Sequence, residues 1–154
     1  MRKNNFSLTQ MGIVIYCAEE CVRQQSGEAS VAWMLNAYRR LADHRGDGCD
    51  RPLITAELVQ ELYSLVEPVK NKNGFRQTNV VVGGKAIGWE NIPRQMDSLL
   101  SAQRELTPIE FYREFEEIHA GADGNGRVGS LLFNYLRDSL EGPVAPPDIF
   151  NAHN

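Results

Sequence analysis

Residues 106–142 constrain the fold more than any other stretch, because their pattern makes two helices with a glycine-rich turn between them. In Leu106-Thr107-Pro108-Ile109-Glu110-Phe111, Thr107 stands in the N-cap position and Pro108 in the first helical position. Glu110 completes a capping box and Leu106 can staple onto Phe111. The first helix is therefore predicted from about Pro108 to His119. Val128, Leu131, Leu132, Tyr135 and Leu136 then recur at helical spacing, so a second helix begins near Asn125 or Gly126, and Gly142-Pro143 stops the pattern. The turn carries His119, Asp123, Gly124, Asn125, Gly126, Arg127 and Gly129. A helix start offers free N–H groups and the positive end of a dipole to an anion, and Gly124 and Gly126 let backbone approach a phosphate closely. Arg127, in the first helical turn, can add a charge-assisted fork.

Other uses of this turn are weaker. As an EF-hand it has Gly121 where the first Asp belongs and Leu132 where the bidentate Glu belongs. As a dinucleotide fingerprint, Gly124, Gly126 and Gly129 follow a helix instead of a strand. Asp-Gly-Asn-Gly is also ordinary turn chemistry, with His119 as a polar helix end, and that reading stays open on residues alone.

The rest of the chain is mostly helical in period. Leu8, Met11, Ile15, Ala18 and Val22 make one apolar stripe, and Val31, Met34, Leu35, Tyr38 and Leu41 a second. Residues 43–50 are polar and glycine-bearing, which predicts a loop, with Asp43, His44 and Asp47 solvated. Thr55 caps a third helix whose Leu58, Val59, Leu62, Leu65 and Val66 face inward until Glu67-Pro68. Val80-Val81-Val82, Gly83-Gly84 and Lys85-Ala86-Ile87 predict a hairpin, whose free edge can accept an extended strand. The tail 143–154, with Pro143, Pro146 and Pro147, is predicted extended and partly mobile.

At 154 residues the chain is long enough for one domain with a real core, here placed at 1–142. A formal charge of −4 excludes nonspecific nucleic-acid binding, since no basic block exists to neutralise phosphates. No apolar run reaches membrane-spanning length and the first residues lack a signal core, so the expected location is the cytoplasm. Cys17, Cys21 and Cys49 form no even framework and are expected as free thiols.

His119 through Ser130 resembles the signature of the Fic family, His-Pro-Phe-x-Asp/Glu-Gly-Asn-Gly-Arg-x-x-Arg, at His119, Asp123, Gly124, Asn125, Gly126 and Arg127. Gly74-Phe75-Arg76, the strand-like Asn79 to Gly84, then Ile92-Pro93 and Met96 are similar to further family features in order and distance, so the resemblance covers about 50–140. It implies a mainly α, single-domain Fic-like helical bundle with a small β-hairpin flap. It also implies transfer of AMP, or another nucleoside monophosphate, from ATP or a similar nucleoside triphosphate to a Ser, Thr or Tyr hydroxyl of a protein target. In that scheme His119 is the base, Asp123 holds Mg²⁺, and Gly124, Asn125, Gly126 and Arg127 bind the nucleotide. The target's backbone docks on the flap at Asn79, Val80, Val81 and Val82. The family's Pro, Phe and final Arg are Ala120, Gly121 and Ser130 here. Loss of the Phe anchor predicts a looser loop, and Ser130 predicts a weaker hold on the outer phosphate, which an arginine sharing a helix face with Arg127 would restore. A noncatalytic interaction module on the same fold, and a Doc-like phosphotransferase, are the alternatives.

Overall fold

The computed structural model describes residues 8–148, so the N-terminal segment and the end of the proline-bearing tail lie outside it. Six helices and one hairpin follow in the order α1 (Leu8–Arg23), α2 (Ala29–Arg45), α3 (Ala56–Val66), β1 (Val80–Val82), β2 (Lys85–Ile87), α4 (Ile92–Ser101), α5 (Pro108–Ile118) and α6 (Asn125–Leu136). The protein is thus a mainly helical bundle carrying a small antiparallel hairpin. No helix among the described residues is long and apolar enough to cross a membrane.

Helix α6 is the axis of the bundle. Apart from Gly126, each of its residues is buried, and α1, α2, α3 and α5 pack around it. A helix enclosed on all sides must be apolar throughout or must find partners for its polar groups. Val128, Leu131, Leu132 and Tyr135 satisfy the first demand, while Ser130 and Asn134 raise the second.

That second demand bears on how α1 docks. The stripe Leu8, Met11, Ile15 and Val22 faces outward, with Leu8 87% and Val22 77% exposed. The expected inner face is overturned: Ile13, Tyr16, Cys17, Glu20 and Cys21 are buried instead. The Tyr16 hydroxyl is hydrogen-bonded to the Ser130 hydroxyl and accepts from the Asn134 amide. Glu20 is paired with Arg23 at 2.6 Å. A buried hydroxyl or amide without a partner costs about 1–3 kcal/mol, comparable to the gain from burying one aliphatic side chain, so satisfying α6 adds to the burial of Ile13, Cys17 and Cys21 in selecting this face.

The other elements follow their local signals. Thr55 accepts from the Leu58 N–H at the start of α3. Thr107 and Glu110 close the capping box at the start of α5. The hairpin pairs Val80 with Ile87 and Val82 with Lys85. Gly83 and Gly84 have φ of 58° and 78°, the mirror-turn geometry that a two-residue hairpin needs. All three cysteines are free. Helix α2 runs on through Asp43 and His44 to Arg45, so the loop begins later than its composition suggests. Helix α6 stops at Leu136, well before Gly142, because Asp138 turns left-handed and the Ser139 N–H bonds back to the Asn134 carbonyl. The Asn134 side chain then holds Val144 through both backbone groups, which pins the beginning of the tail.

The inverted face of α1 has a direct test. Val22→Gln should change unfolding free energy by no more than about 0.5 kcal/mol, whereas Met34→Ala in the core of α2 should cost about 2–5 kcal/mol; urea denaturation of both variants checks the contrast.

Candidate active site

Helix α5 ends at Ile118, and His119 caps it in the left-handed conformation, φ 51° and ψ 55°. That unusual backbone is held from below by Arg76, which is 4% exposed. Its guanidinium donates to the carbonyls of His119 at 2.6 Å, Ile118 at 3.3 Å, Thr78 at 2.6 Å and Gly88 at 3.0 Å. The Arg76 N–H adds a bond to the Ala120 carbonyl at 2.9 Å. One buried cation therefore ties the last turn of α5 to both ends of the hairpin.

The loop after His119 is fixed by residues from α3 and the turn that follows it. The Asn71 amide donates to the carbonyls of Tyr63 and Asp123, each at 2.9 Å. Its oxygen accepts from the N–H groups of Ala122 and Asp123. The Tyr63 hydroxyl and the Gly121 N–H both donate to the Asn125 side-chain oxygen, at 2.7 and 2.9 Å. A Cβ at Gly121 would lie 2.3 Å from the Tyr63 ring. The ring of Tyr63 fills the place next to residue 121, so the loop is anchored without a phenylalanine there and the expected looseness is corrected.

The other glycines also answer to packing. Gly124 has φ 78°, and a Cβ there would meet Val66 at 2.7 Å. At Gly126 it would meet the Gln24 carboxamide at 2.2 Å. Gln24, one residue past the end of α1, therefore lies against the glycine loop, a contact that no local pattern announces.

Asp123 is partly open, with its side chain 41% exposed. One carboxylate oxygen accepts from the Gly124 N–H at 2.7 Å, and the other from Lys70 Nζ at 3.0 Å. Burial alone would raise this carboxyl, but the bonds from Lys70 and Gly124 outweigh it and hold Asp123 below its ordinary value. An exposed ion pair such as Lys70–Asp123 is screened by solvent and only weakly stabilising, so it opens readily. The donor set suits a cation carried by a ligand: Mg²⁺ is commonly held by one or two carboxylates together with substrate phosphates and water. Among the described residues no group of three or more His, Cys, Asp or Glu could hold a metal alone.

Arg127 and Ser130 are placed differently from their sequence expectations. Arg127 is 2% exposed; its guanidinium donates to the Val66 carbonyl at 2.8 Å and lies 3.9 Å from both Glu67 and Asp123. The fork thus braces the loop from beneath. Ser130 is fully buried under α1 against Tyr16. Position 130 faces the helix interface, so an arginine there has no open path to the loop.

Two cavities meet at His119. One, about 150 Å³, is lined by Gln24, Ser26, His119 and residues 122–127 at the start of α6. The other, about 540 Å³, is lined by Val82, Gly83, Lys85 and Ile87 of the hairpin and by Glu116, Glu117 and His119. Burial, reinforced by the charge of Arg76, lowers the His119 pKa below its ordinary value and keeps the imidazole neutral. Burial pushes Glu116 up to about 8, so this carboxyl beside the second cavity is protonated at neutral pH. Within the hairpin, Val81 is 72% exposed and, among the described residues, β1 pairs with β2 alone, which leaves Asn79, Val80, Val81 and Val82 along an outer edge.

With this geometry in view, the family relationship is plain. The chain matches the model of the Fic/DOC family over residues 53–136, more than half its length, and belongs to that family. No curated protein matches the chain. The matched segment runs from just before α3 to the end of α6 and so contains Lys70, Asn71, Arg76, the hairpin and the whole glycine loop.

The Tyr63 anchor predicts a specific coupling. Gly121→Ala should lower stability by about 1–3 kcal/mol through overpacking, and Tyr63→Leu in the same chain should recover part of that loss; a double-mutant cycle by thermal denaturation measures it.

Proposed function

We propose that the protein transfers AMP, or another nucleoside monophosphate, from a nucleoside triphosphate to a Ser, Thr or Tyr hydroxyl of a protein target laid along the flap. The observation that carries this reading is the position of His119, shared by the small cavity at the start of α6 and the larger one beneath the hairpin. The first suits a phosphoryl group and the second the incoming hydroxyl, with a neutral imidazole between them.

In this mechanism the His119 imidazole takes the hydroxyl proton as the target oxygen attacks the α-phosphorus. A new oxygen–phosphorus bond forms, the bond from the α-phosphorus to the bridging oxygen breaks, and pyrophosphate leaves. The left-handed cap and the Arg76 bonds fix the backbone of His119, so the imidazole is presented from one position beside both cavities. Free N–H groups at the start of α6, and Arg127 behind them, stabilise the charge that builds on the transferred group. Mg²⁺ bound at Asp123 with the nucleotide phosphates would neutralise charge on the leaving group.

A noncatalytic interaction module is the second reading, favoured by the burial of Ser130 where the family carries an arginine. Phosphate transfer to a target hydroxyl is the third. Incubation with α-labelled and γ-labelled nucleoside triphosphates, Mg²⁺ and cell lysate separates all of them. Label from the α position on protein is the expected result, γ label indicates phosphotransfer, and neither indicates the module. His119→Ala should cut the α-label transfer by roughly 100-fold or more with nucleotide binding retained.

The pH profile carries the sign of the His119 shift. A base whose pKa is lowered stays neutral to lower pH, so transfer should hold through about pH 6.5, the ordinary histidine value, and decline only below it. An acid limb centred above that value in single-turnover rates would remove His119 as the base.

A further inference from the structure

The outer phosphates of a nucleoside triphosphate need a cation, and the one that α6 carries lies low in the site. Arg127 is buried beneath the loop on the Val66 carbonyl, and Ser130 is buried against Tyr16. A second cation, Lys70, meets the loop at Asp123. Lys70 Nζ lies 3.0 Å from the Asp123 oxygen that does not accept from Gly124, and its side chain is 63% exposed. Its place is not accidental to a mobile surface. The next residue, Asn71, is 1% exposed and carries four hydrogen bonds to Tyr63, Ala122 and Asp123, which fix the backbone at Lys70 relative to the loop.

Taken together, we propose that Lys70 is a binding residue for the outer phosphates of the nucleotide, a role that rests on the nucleotide reading above. In the ligand-free chain its ammonium neutralises Asp123. When a metal–nucleotide takes that carboxylate oxygen, the weak exposed pair opens and the ammonium moves onto phosphate oxygens a short distance away, with its flexible stem covering the gap. Lys70 thus supplies from the turn after α3 the positive charge that position 130 lacks.

Calorimetric titration of the wild-type protein, Lys70→Met and Lys70→Arg with ATP, ADP and AMP in Mg²⁺, and with Mn²⁺ alone, tests the assignment. Lys70→Met should lose about tenfold in ATP affinity, less for ADP, and stay within about twofold for AMP, while Lys70→Arg retains most of the ATP affinity. Mn²⁺ alone should bind Lys70→Met no more weakly than the wild type, because removing the ammonium frees the Asp123 oxygen. Unchanged ATP binding, an equal loss for ATP and AMP, or weakened Mn²⁺ binding would overturn the role; the last would make Lys70 a positioning residue for Asp123. A wild-type protein that binds ATP without dependence on Lys70 removes this inference alone, whereas one that binds none of the nucleotides removes the transfer reading with it.

Discussion

The site depends on one buried guanidinium. Arg76 faces no carboxylate in its hydrogen-bonding shell; it is satisfied by the backbone carbonyls of Thr78, Gly88, Ile118 and His119. Burial lowers its pKa, yet with five donors in a rigid fork it remains charged. A cation held this way is costly to desolvate, and its return is geometric: the hairpin, the end of α5 and the left-handed His119 are joined to one side chain. Its positive charge also works on His119 directly by disfavouring the imidazolium. Burial first, and the charge of Arg76 second, hold the His119 pKa below its ordinary value, while the Arg76 bonds fix its backbone.

Around that side chain the glycine loop is held by substitution of parts. Tyr63 fills the volume beside Gly121 and caps Asn125, while Asn71 occupies the N–H groups of Ala122 and Asp123. Anchoring therefore comes from α3 and the turn after it as well as from the Gly121–Asn125 and Asp123–Gly124 bonds inside the loop. The N–H groups of Ala122 and Asp123 are already engaged by Asn71. The loop's charges are distributed by depth: Arg127 braces from beneath, and Lys70 and Asp123 meet at the open rim.

Much of the architecture was legible in the chain because it is written in local rules. The capping box at Thr107, the Thr55 cap, the mirror turn at Gly83-Gly84 and the start of α6 each depend on a few adjacent residues. The His119 and Asp123 positions follow from the signature in the same way. The α1 face was illegible for the opposite reason. Hydropathy favoured Leu8, Met11, Ile15 and Val22, but the partners that help select the face are Ser130 and Asn134, more than 100 residues away in sequence. Lys70, Asn71 and Gln24 carry no pattern of their own, so nothing local marks them as neighbours of the loop.

Which elements form, and where the glycine loop falls along the chain, follow from local signals, since capping, turn chemistry and periodicity act over a few residues. Tertiary structure alone decided which way side chains face once those elements meet. It turned Arg127 inward to the Val66 carbonyl, closed Ser130 under α1, set Tyr63 beside Gly121 and brought Lys70 to Asp123. The physical reason is that buried polar groups must find partners across the whole fold, and that requirement is nonlocal.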